Sequence, residues 1–334
     1  MRSTINMFNT TLKSLLARTL AGTLVSLGMA GAATAAFPEK PIRLVIPFPA
    51  GGSSDAMGRV VAQGMAERLG QPVVVENRAG ASGTIATNYV ANAEPDGYTL
   101  CYCLTGSLVI LPMLNPNLTY KPDTQLTPVS HVASQPFVVV VQSNLKANTL
   151  QDYVKQAKGG DGKLTFGSPG VGTPSHLTGE LFNQAAGINV RHIPYRGDAP
   201  AVQDLLGGQI DAMYAAASNV PAMTADGRTK ALAVSTPKRL SLLPDVPTIA
   251  ESGYPGFETA TMQIIVAPAG TPGDVVEKLS QAVRDTLKSP EVLKKADEQG
   301  LMVVASSPAE AAATLKAENE RLSPIVKKLD IRIN

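Results

Sequence analysis

The sequence predicts an α/β fold with a largely parallel sheet, divided into two lobes joined by two crossover strands. Three observations carry that reading. Short apolar runs alternate with helical stripes, glycine-rich turns follow several of those runs, and two unbroken apolar strands bracket a middle block of lobe size. Length agrees, because about 300 residues beyond an N-terminal leader exceed a comfortable single core.

The leader is residues 1–36. Arg2, Lys13 and Arg18 form a positive start without an acid, an apolar stretch runs from Leu20 to Ala30, and small residues follow. Ala33-Thr34-Ala35 fits the small-x-small rule, which places a signal-peptidase cut after Ala35 or Ala36 and the mature protein in the periplasm. The apolar run falls short of the roughly 20 residues of a spanning helix, and no cysteine near the cut offers a lipid anchor. Cleavage removes three basic residues and no acidic one, so the formal charge of +2 becomes about −1. No basic field remains to attract nucleic acid or a membrane surface.

The mature chain opens with a buried strand, Ile42 to Ile46, and a helix whose apolar stripe is Met57, Val60, Val61, Met65 and Leu69. Val73-Val74-Val75 is a second strand, followed by a glycine-rich turn and a helix around Ile85 to Ala93. Cys101 and Cys103, the only cysteines, are expected as two small core residues, because so tight a ring seldom closes as a disulfide. Four Ser/Thr-Pro pairs announce helix starts: Thr173-Pro174, Thr271-Pro272, Ser289-Pro290 and Ser307-Pro308. A short strand, Leu301 to Val304, lies among the C-terminal helices. Phe137 to Val141 and Ile264 to Ala267 are the proposed crossings between lobes. They divide the chain into lobe 1 (37–138 plus 261–334) and lobe 2 (139–260).

The most informative segments are two strand–loop–helix junctions, one per lobe. Val45-Ile46-Pro47-Phe48-Pro49-Ala50-Gly51-Gly52-Ser53-Ser54-Asp55 leads into the helix at Ala56. Leu164 to Pro174, with Gly167-Ser168-Pro169-Gly170-Val171-Gly172 at its centre, leads into the helix that carries His176. Glycines let a ligand approach the backbone, and the unpaired first amides of each helix carry about half a positive charge. Two such helix starts facing each other can grip both ends of a dicarboxylate in an interdomain cleft. Neither is a nucleotide P-loop, since no Gly-Lys-Ser/Thr follows. A third junction, Ile193 to Asp198, precedes a helix from Pro200 to Leu206. Gly207-Gly208 stops that helix, and Gln209 starts the next strand. Arg196 sits at this strand end, where ligand sites collect.

Catalytic patterns are missing. His131, His176 and His192 show neither HExxH nor another metal-ligand spacing, and Ser168 is not in a G-x-S-x-G elbow. His176 reads as a helix-capping or ligand-bonding residue, and Asp55 as a structural acid at a helix start. No cofactor or metal is expected.

Read in order, these loops resemble the Bug-type (TctC-like) solute-binding proteins of tripartite tricarboxylate transporters. The matching stretches are 47–55, 75–83 (Val-Glu-Asn-Arg-Ala-Gly-Ala-Ser-Gly), 95–100 (Pro-Asp-Gly-Tyr-Thr-Leu), 170–177, 194–197, 204–211 and 267–272 (Ala-Pro-Ala-Gly-Thr-Pro). The resemblance implies a two-lobed periplasmic binding protein fold, type II-like, that closes like a Venus flytrap on a carboxylate. It implies membrane components of a tripartite tricarboxylate-type transporter as partners or, in some relatives, a sensor protein. The chain is expected to act as a monomer. From the family pattern, the carboxylates fall to Phe48, Ser53, Ser54, Ser168, Gly172, Thr173 and His176. The turns at Ala81-Ser82, Thr105–Ser107 and Tyr195-Arg196-Gly197 complete the pocket.

The sequence departs from the family in two places. Ala215-Ala216 stands where relatives usually have Asp-Asn, and Met262 stands where they often have Trp. The loop after Ser107 is also apolar (Leu108, Val109, Ile110). Loss of an acceptor disfavours an amino-acid ammonium, and loss of a ring leaves room for an apolar body. An aromatic dicarboxylate such as terephthalate or phthalate is the expected ligand. The alternatives are a ligand sensor signalling to a membrane kinase and a periplasmic enzyme acting on a carboxylate.

Overall fold

Strand pairing organises the molecule around one long strand. The computed structural model describes residues 37–51, 53–160 and 162–329, so the leader assigned above lies outside the described residues. From Lys40 onward the chain forms one compact unit. Its strands are β1 (Ile42–Ile46), β2 (Val73–Asn77), β3 (Thr99–Leu104), β4 (Leu126–Gln142), β5 (Thr165–Ser168), β6 (Arg191–Pro194), β7 (Ala212–Ala216), β8 (Thr229–Val234), β9 (Ala260–Pro268) and β10 (Met302–Val303). The longer helices are α1 (Ser53–Leu69), α2 (Thr84–Ala91), α3 (Leu150–Gly160), α4 (Pro174–Ala186), α5 (Asp198–Leu206), α6 (Gly273–Leu287), α7 (Pro290–Glu298) and α8 (Pro308–Leu329). No helix among the described residues is long and apolar enough to cross a membrane.

The strand order is β2-β1-β3-β9-β4-β7-β5-β6, with β8 and β10 also paired to β4. β2, β1 and β3 are parallel, as are β7, β5 and β6, while β4 and β9 run antiparallel to their neighbours. β4 belongs to both halves. Leu126 to Pro136 pairs with β9, and Phe137 to Gln142 pairs with β7 and β8. β9 enters at the same level, where the Thr259 amide donates to Ser235 O and Ala260 faces Pro136.

Helices cover both faces of each half, which is why the strands read as continuous apolar runs. In the first half, Val45, Cys101, Cys103, Ile264 and Val266 pack with Ala86 and Val90 of α2 and Leu322 and Val326 of α8. Leu177 of α4 joins that cluster from the second half. Phe137, Val139, Tyr153, Phe166, Phe182 and Tyr214 form the core on one face of the second half, and Val138, Val140, Leu205, Ile210 and Met213 that on the other.

Several local expectations are corrected. Cys101 and Cys103 are joined as a disulfide: alternate strand residues share a face, and their Cα atoms lie 5.4 Å apart, within bridging range. Thr271-Pro272 is not a hydroxyl cap, because α6 begins at Gly273 with Pro272 at the cap position while Thr271 Oγ1 donates to Pro268 O at 2.8 Å. Ser289 occupies its cap position without a side-chain bond. Thr173 does cap, accepting from the His176 amide at 3.4 Å. Ser307 and Glu310 form a reciprocal capping box at 3.3 and 2.8 Å. Strand β7 starts at Ala212 rather than Gln209, because the Gln209 amide closes α5 on Asp204 O. That helix itself starts at Asp198, two residues before the expected Pro200.

Candidate functional site

The first junction is built around an acid. Asp55, in the first turn of α1, is buried and accepts from the Gly51 amide at 2.9 Å, Arg59 Nε at 2.9 Å and Asn77 Nδ2 at 2.8 Å. The Arg59 bond, with those from Gly51 and Asn77, lowers its carboxyl to about 2 against the opposing effect of burial. Asn77 Nδ2 also donates to Phe48 O at 3.0 Å, so strand β2 fixes the loop that leaves β1. Phe48 is half-buried and Ser54 buried; Ser53 begins α1, and its side chain lies outside the described set.

Two further turns close on this loop. Ala81 and Ser82 are exposed and left-handed, at φ 46° and 54°. A Cβ at Gly83 would stand 3.3 Å from Pro47 Cβ and 3.6 Å from Ser107 Cβ, so the turns after β1, β2 and β3 meet there, and only glycine admits the approach. Thr105 and Ser107 are buried. Thr105 Oγ1 accepts from the Met262 amide at 2.7 Å, which ties β3 to β9; Ser107 Oγ donates to Leu104 O, and Ser107 O accepts from Tyr120 at 2.7 Å. Leu108, Val109 and Ile110, expected as an apolar loop, form a π-helical turn inside the first core, and Met262 is buried in the same cluster.

The second junction is built around neutral rings. Ser168, fully buried at the end of β5, lies 2.7 Å from His192 Nε2, donates to Gly170 O at 2.9 Å and accepts from the Gly170 amide at 3.2 Å. His176 Nδ1 accepts from the Gly172 amide at 3.1 Å, and its Nε2 faces Glu180 Oε1 at 3.8 Å. The rings of His176 and His192 stack at 3.8 Å, with Phe166 alongside. Burial holds His176 near 3, aided by His192, and His192 near 4, so both are neutral at physiological pH. Thr173 Oγ1 donates to Gly170 O at 2.8 Å. The Val171 amide, at the exposed tip, has no hydrogen-bond partner among the described residues.

The third junction lies against this one. The Tyr195 amide donates to Ser168 O, and the Gly197 amide to Pro169 O at 3.0 Å. Burial and Asp204, which accepts from the Tyr195 hydroxyl at 2.7 Å, push that phenol to about 12. Arg196 is exposed, and no described residue pairs with its guanidinium. Ala215 and Ala216 end β7 beside Val138 and Phe137 of β4. The two halves meet where Thr105 and Ile110 share a gap of about 10 Å³ with Pro174, Leu177 and Thr178 of α4.

Of the residues singled out from the sequence, the structure brings His176, Ser168, Tyr195 and Gly197 to one place. Sequence reasoning passed over His192 and left Asn77 without a role; that Asn77 directly ends a strand beside a glycine-rich turn was the available signal. A surface cavity of about 940 Å³ opens elsewhere, at the N-terminal ends of β1 and β3. Its cations are engaged there: Lys40 with Asp96 at 3.3 Å and Arg43 with Glu76 at 3.0 Å. Among the described residues no group of three or more His, Cys, Asp or Glu is placed to hold a metal.

An α/β molecule in two halves, threaded by a shared long strand, with a glycine loop and helix start on each half, is a periplasmic binding protein in architecture. The chain belongs to the TctC family, described as tripartite tricarboxylate transporter family receptor, whose profile matches residues 57–331. It is 37% identical over 323 residues to a UPF0065 protein from the tcbD-tcbE intergenic region of Pseudomonas sp. strain P51, covering 95% of each chain. It is 36% identical over 301 residues to protein BugT of Bordetella pertussis, covering 89% and 91%. Among solved structures, Rpa4515 of R. palustris with adipate superposes with a TM-score of 0.77 at 33% identity, covering 89% of this chain and 99% of that one. MatC of Rhodopseudomonas palustris with bound malate gives 0.73 at 31%, covering 87% and 100%.

Proposed function

We propose that this protein captures a small dicarboxylate between its two halves in the periplasm and presents it to the membrane components of a tripartite tricarboxylate-type transporter. The observation that carries the proposal is the pair of helix starts, α1 and α4. Each follows a parallel strand and a glycine loop held by its own internal network. Two positive helix ends match two carboxylates, and the solved relatives with adipate and malate carry ligands of that class. The lobes are 37–138 plus 261–334 and 139–260, and residues 1–36 are the cleaved leader. Partner switching in β4 at Pro136–Phe137 supports the first boundary.

The ligand body is apolar, and an aromatic dicarboxylate such as terephthalate fits best. Ala215 and Ala216 offer no side-chain acceptor for an ammonium, which argues against an amino acid. Ligand contacts that exist only in the closed form favour closure, so the loaded protein differs in shape from the empty one. The role is non-catalytic: Ser168 is buried with its proton engaged by Gly170, and no carboxylate among the described residues bonds His192.

Calorimetry with protein purified from the periplasm is the test, using terephthalate, phthalate, adipate, malate, citrate and glutamate. A dissociation constant at or below about 1 µM, near −8 kcal/mol, is expected for terephthalate or phthalate. Binding of glutamate or citrate alone overturns the aromatic assignment, and turnover of any of these acids overturns the non-catalytic one. The mass of the purified chain shows whether cleavage follows Ala35 or Ala36.

A further inference from the structure

The second carboxylate loop has little freedom of its own, and the rings behind it decide its shape. A serine hydroxyl has one proton and two lone pairs. Ser168 Oγ touches three groups: Gly170 O at 2.9 Å, the Gly170 amide at 3.2 Å and His192 Nε2 at 2.7 Å. All three are satisfied in one arrangement, in which Oγ donates to Gly170 O and accepts from the Gly170 amide and from His192 Nε2–H. His192 is therefore the neutral Nε2–H tautomer. The same reasoning applies to His176, whose Nδ1 accepts from the Gly172 amide and whose proton then lies on Nε2, toward Glu180.

We propose that His192 is a positioning residue for carboxylate binding, acting with His176 as a neutral stacked pair that sets the 168–173 loop. The inference rests on the dicarboxylate reading above. His192 holds Ser168 at the base of the loop, and His176 holds Gly172 near its tip. With Thr173 Oγ1 on Gly170 O, these bonds leave the amide of Val171, at the exposed tip, without a partner among the described residues. Ser168 and Gly172 thus shape the loop through internal bonds, and the unpartnered Val171 amide remains for the anion.

The pair also makes the loop sensitive to acid. A proton arriving at His176 Nδ1 replaces the acceptor of the Gly172 amide with a second donor, so that bond breaks. Burial opposes charge on either ring, and His192, 3.8 Å away, adds to that opposition at His176. The titratable groups around the pair are Glu180 on α4, Tyr214 on β7 and, behind it, Tyr153 on α3. Burial raises Glu180 and both phenols, so none of them is made a readier anion to stabilise an imidazolium.

Adipate titrations from pH 8 to pH 3.5 on wild type, His192→Leu and His192→Gln test this. Leucine removes the donor, whereas the glutamine amide reaches the place of Nε2. At pH 7.5, about tenfold weaker binding is expected for His192→Leu and a change within about threefold for His192→Gln. Without the His192 ring, His176 protonates at higher pH, so the acid loss of affinity begins earlier in His192→Gln. The ligand's own protonation cancels in the ratio to wild type. Unchanged affinity in His192→Leu overturns the inference, as does equal weakening in both variants with no displacement of the acid limb. If His192→Leu fails to fold, His192→Asn takes its place: its shorter amide falls short of Ser168, so the tenfold loss is expected, and parity with His192→Gln overturns the proposal. A wild type that binds neither adipate, malate nor terephthalate overturns the carboxylate reading itself and this inference with it.

Discussion

The two glycine loops are framed by opposite chemistry. In the first, a buried carboxylate ties loop, helix and neighbouring strand through Gly51, Arg59 and Asn77. In the second, two uncharged imidazoles tie Ser168 and Gly172. The anion-binding role proposed for both helix starts needs amides held rigid without a strong negative field, and the two frames suit it in different ways. Asp55 is offset by Arg59 and its donors, whereas the histidine pair introduces no charge. The charged frame depends on its partners, and the neutral frame depends on pH.

The largest expected effect of a single substitution breaks the charged frame. Asp55→Ala removes three hydrogen bonds to an ionised acceptor, and a loss of about 2 kcal/mol is expected, read as a lower denaturant midpoint with unchanged m-value. Asp55→Asn should recover part of that loss, because the amide oxygen still accepts from Gly51.

Crowding tests the meeting points of the turns. Gly83→Ala places a Cβ at 3.3 Å from Pro47 on a backbone at φ 93°, and about 1 to 2 kcal/mol of destabilisation is expected. Gly167→Ala, whose Cβ would lie 2.4 Å from Ile210 Cδ1, should cost about as much by overpacking the second half. Thermal unfolding of both variants compares the tolerance of the two halves.

Acid separates the two frames. Asp55 is lowered from 3.8 to about 2, so its contribution is complete above pH 4 and is lost as pH falls through 2. His176 and His192 are lowered from 6.5 to about 3 and about 4, so the unfolded chain binds more protons between pH 6.5 and those values. Stability is therefore full above pH 6.5 and falls with acid through that window, by up to about 1.4 kcal/mol per pH unit for each excluded proton. His131, buried against Ser134 and held near 4, adds a third such proton from the first half. Urea midpoints from pH 8 to pH 4 should decline from pH 6.5 downward. A flat profile to pH 4.5 contradicts the neutral-histidine description.

The smallest stability effect belongs to the exposed rim. Thr173→Ala removes a helix cap at a cost of about 1 kcal/mol and should also weaken dicarboxylate binding several-fold. Arg196→Ala should leave stability within about 0.5 kcal/mol, since no described residue pairs with that side chain. A fall in terephthalate affinity in Arg196→Ala would place its guanidinium on the ligand; no change would leave it a surface charge.

The strand–loop–helix junctions were legible from the sequence because glycine, proline and Ser/Thr caps mark local backbone geometry, and that geometry is decided within a few residues. The alternation of β1, α1, β2 and α2, the caps at Thr173 and Ser307, and the structural role of Asp55 all follow from such short-range rules. Long-range pairings left no local mark. The Cys101–Cys103 bridge depended on how closely β3 brings alternate residues together. Nor did local spacing show that Leu108, Val109 and Ile110 turn inward to the core, or that His192, sixteen residues beyond His176, stacks on its ring. The sequence by itself determined an α/β chain with two anion-favouring helix starts, because capping and backbone freedom are local. The tertiary structure alone decided which groups hold those loops, because hydrogen-bond partners and ring stacking depend on strands brought together from distant parts of the chain.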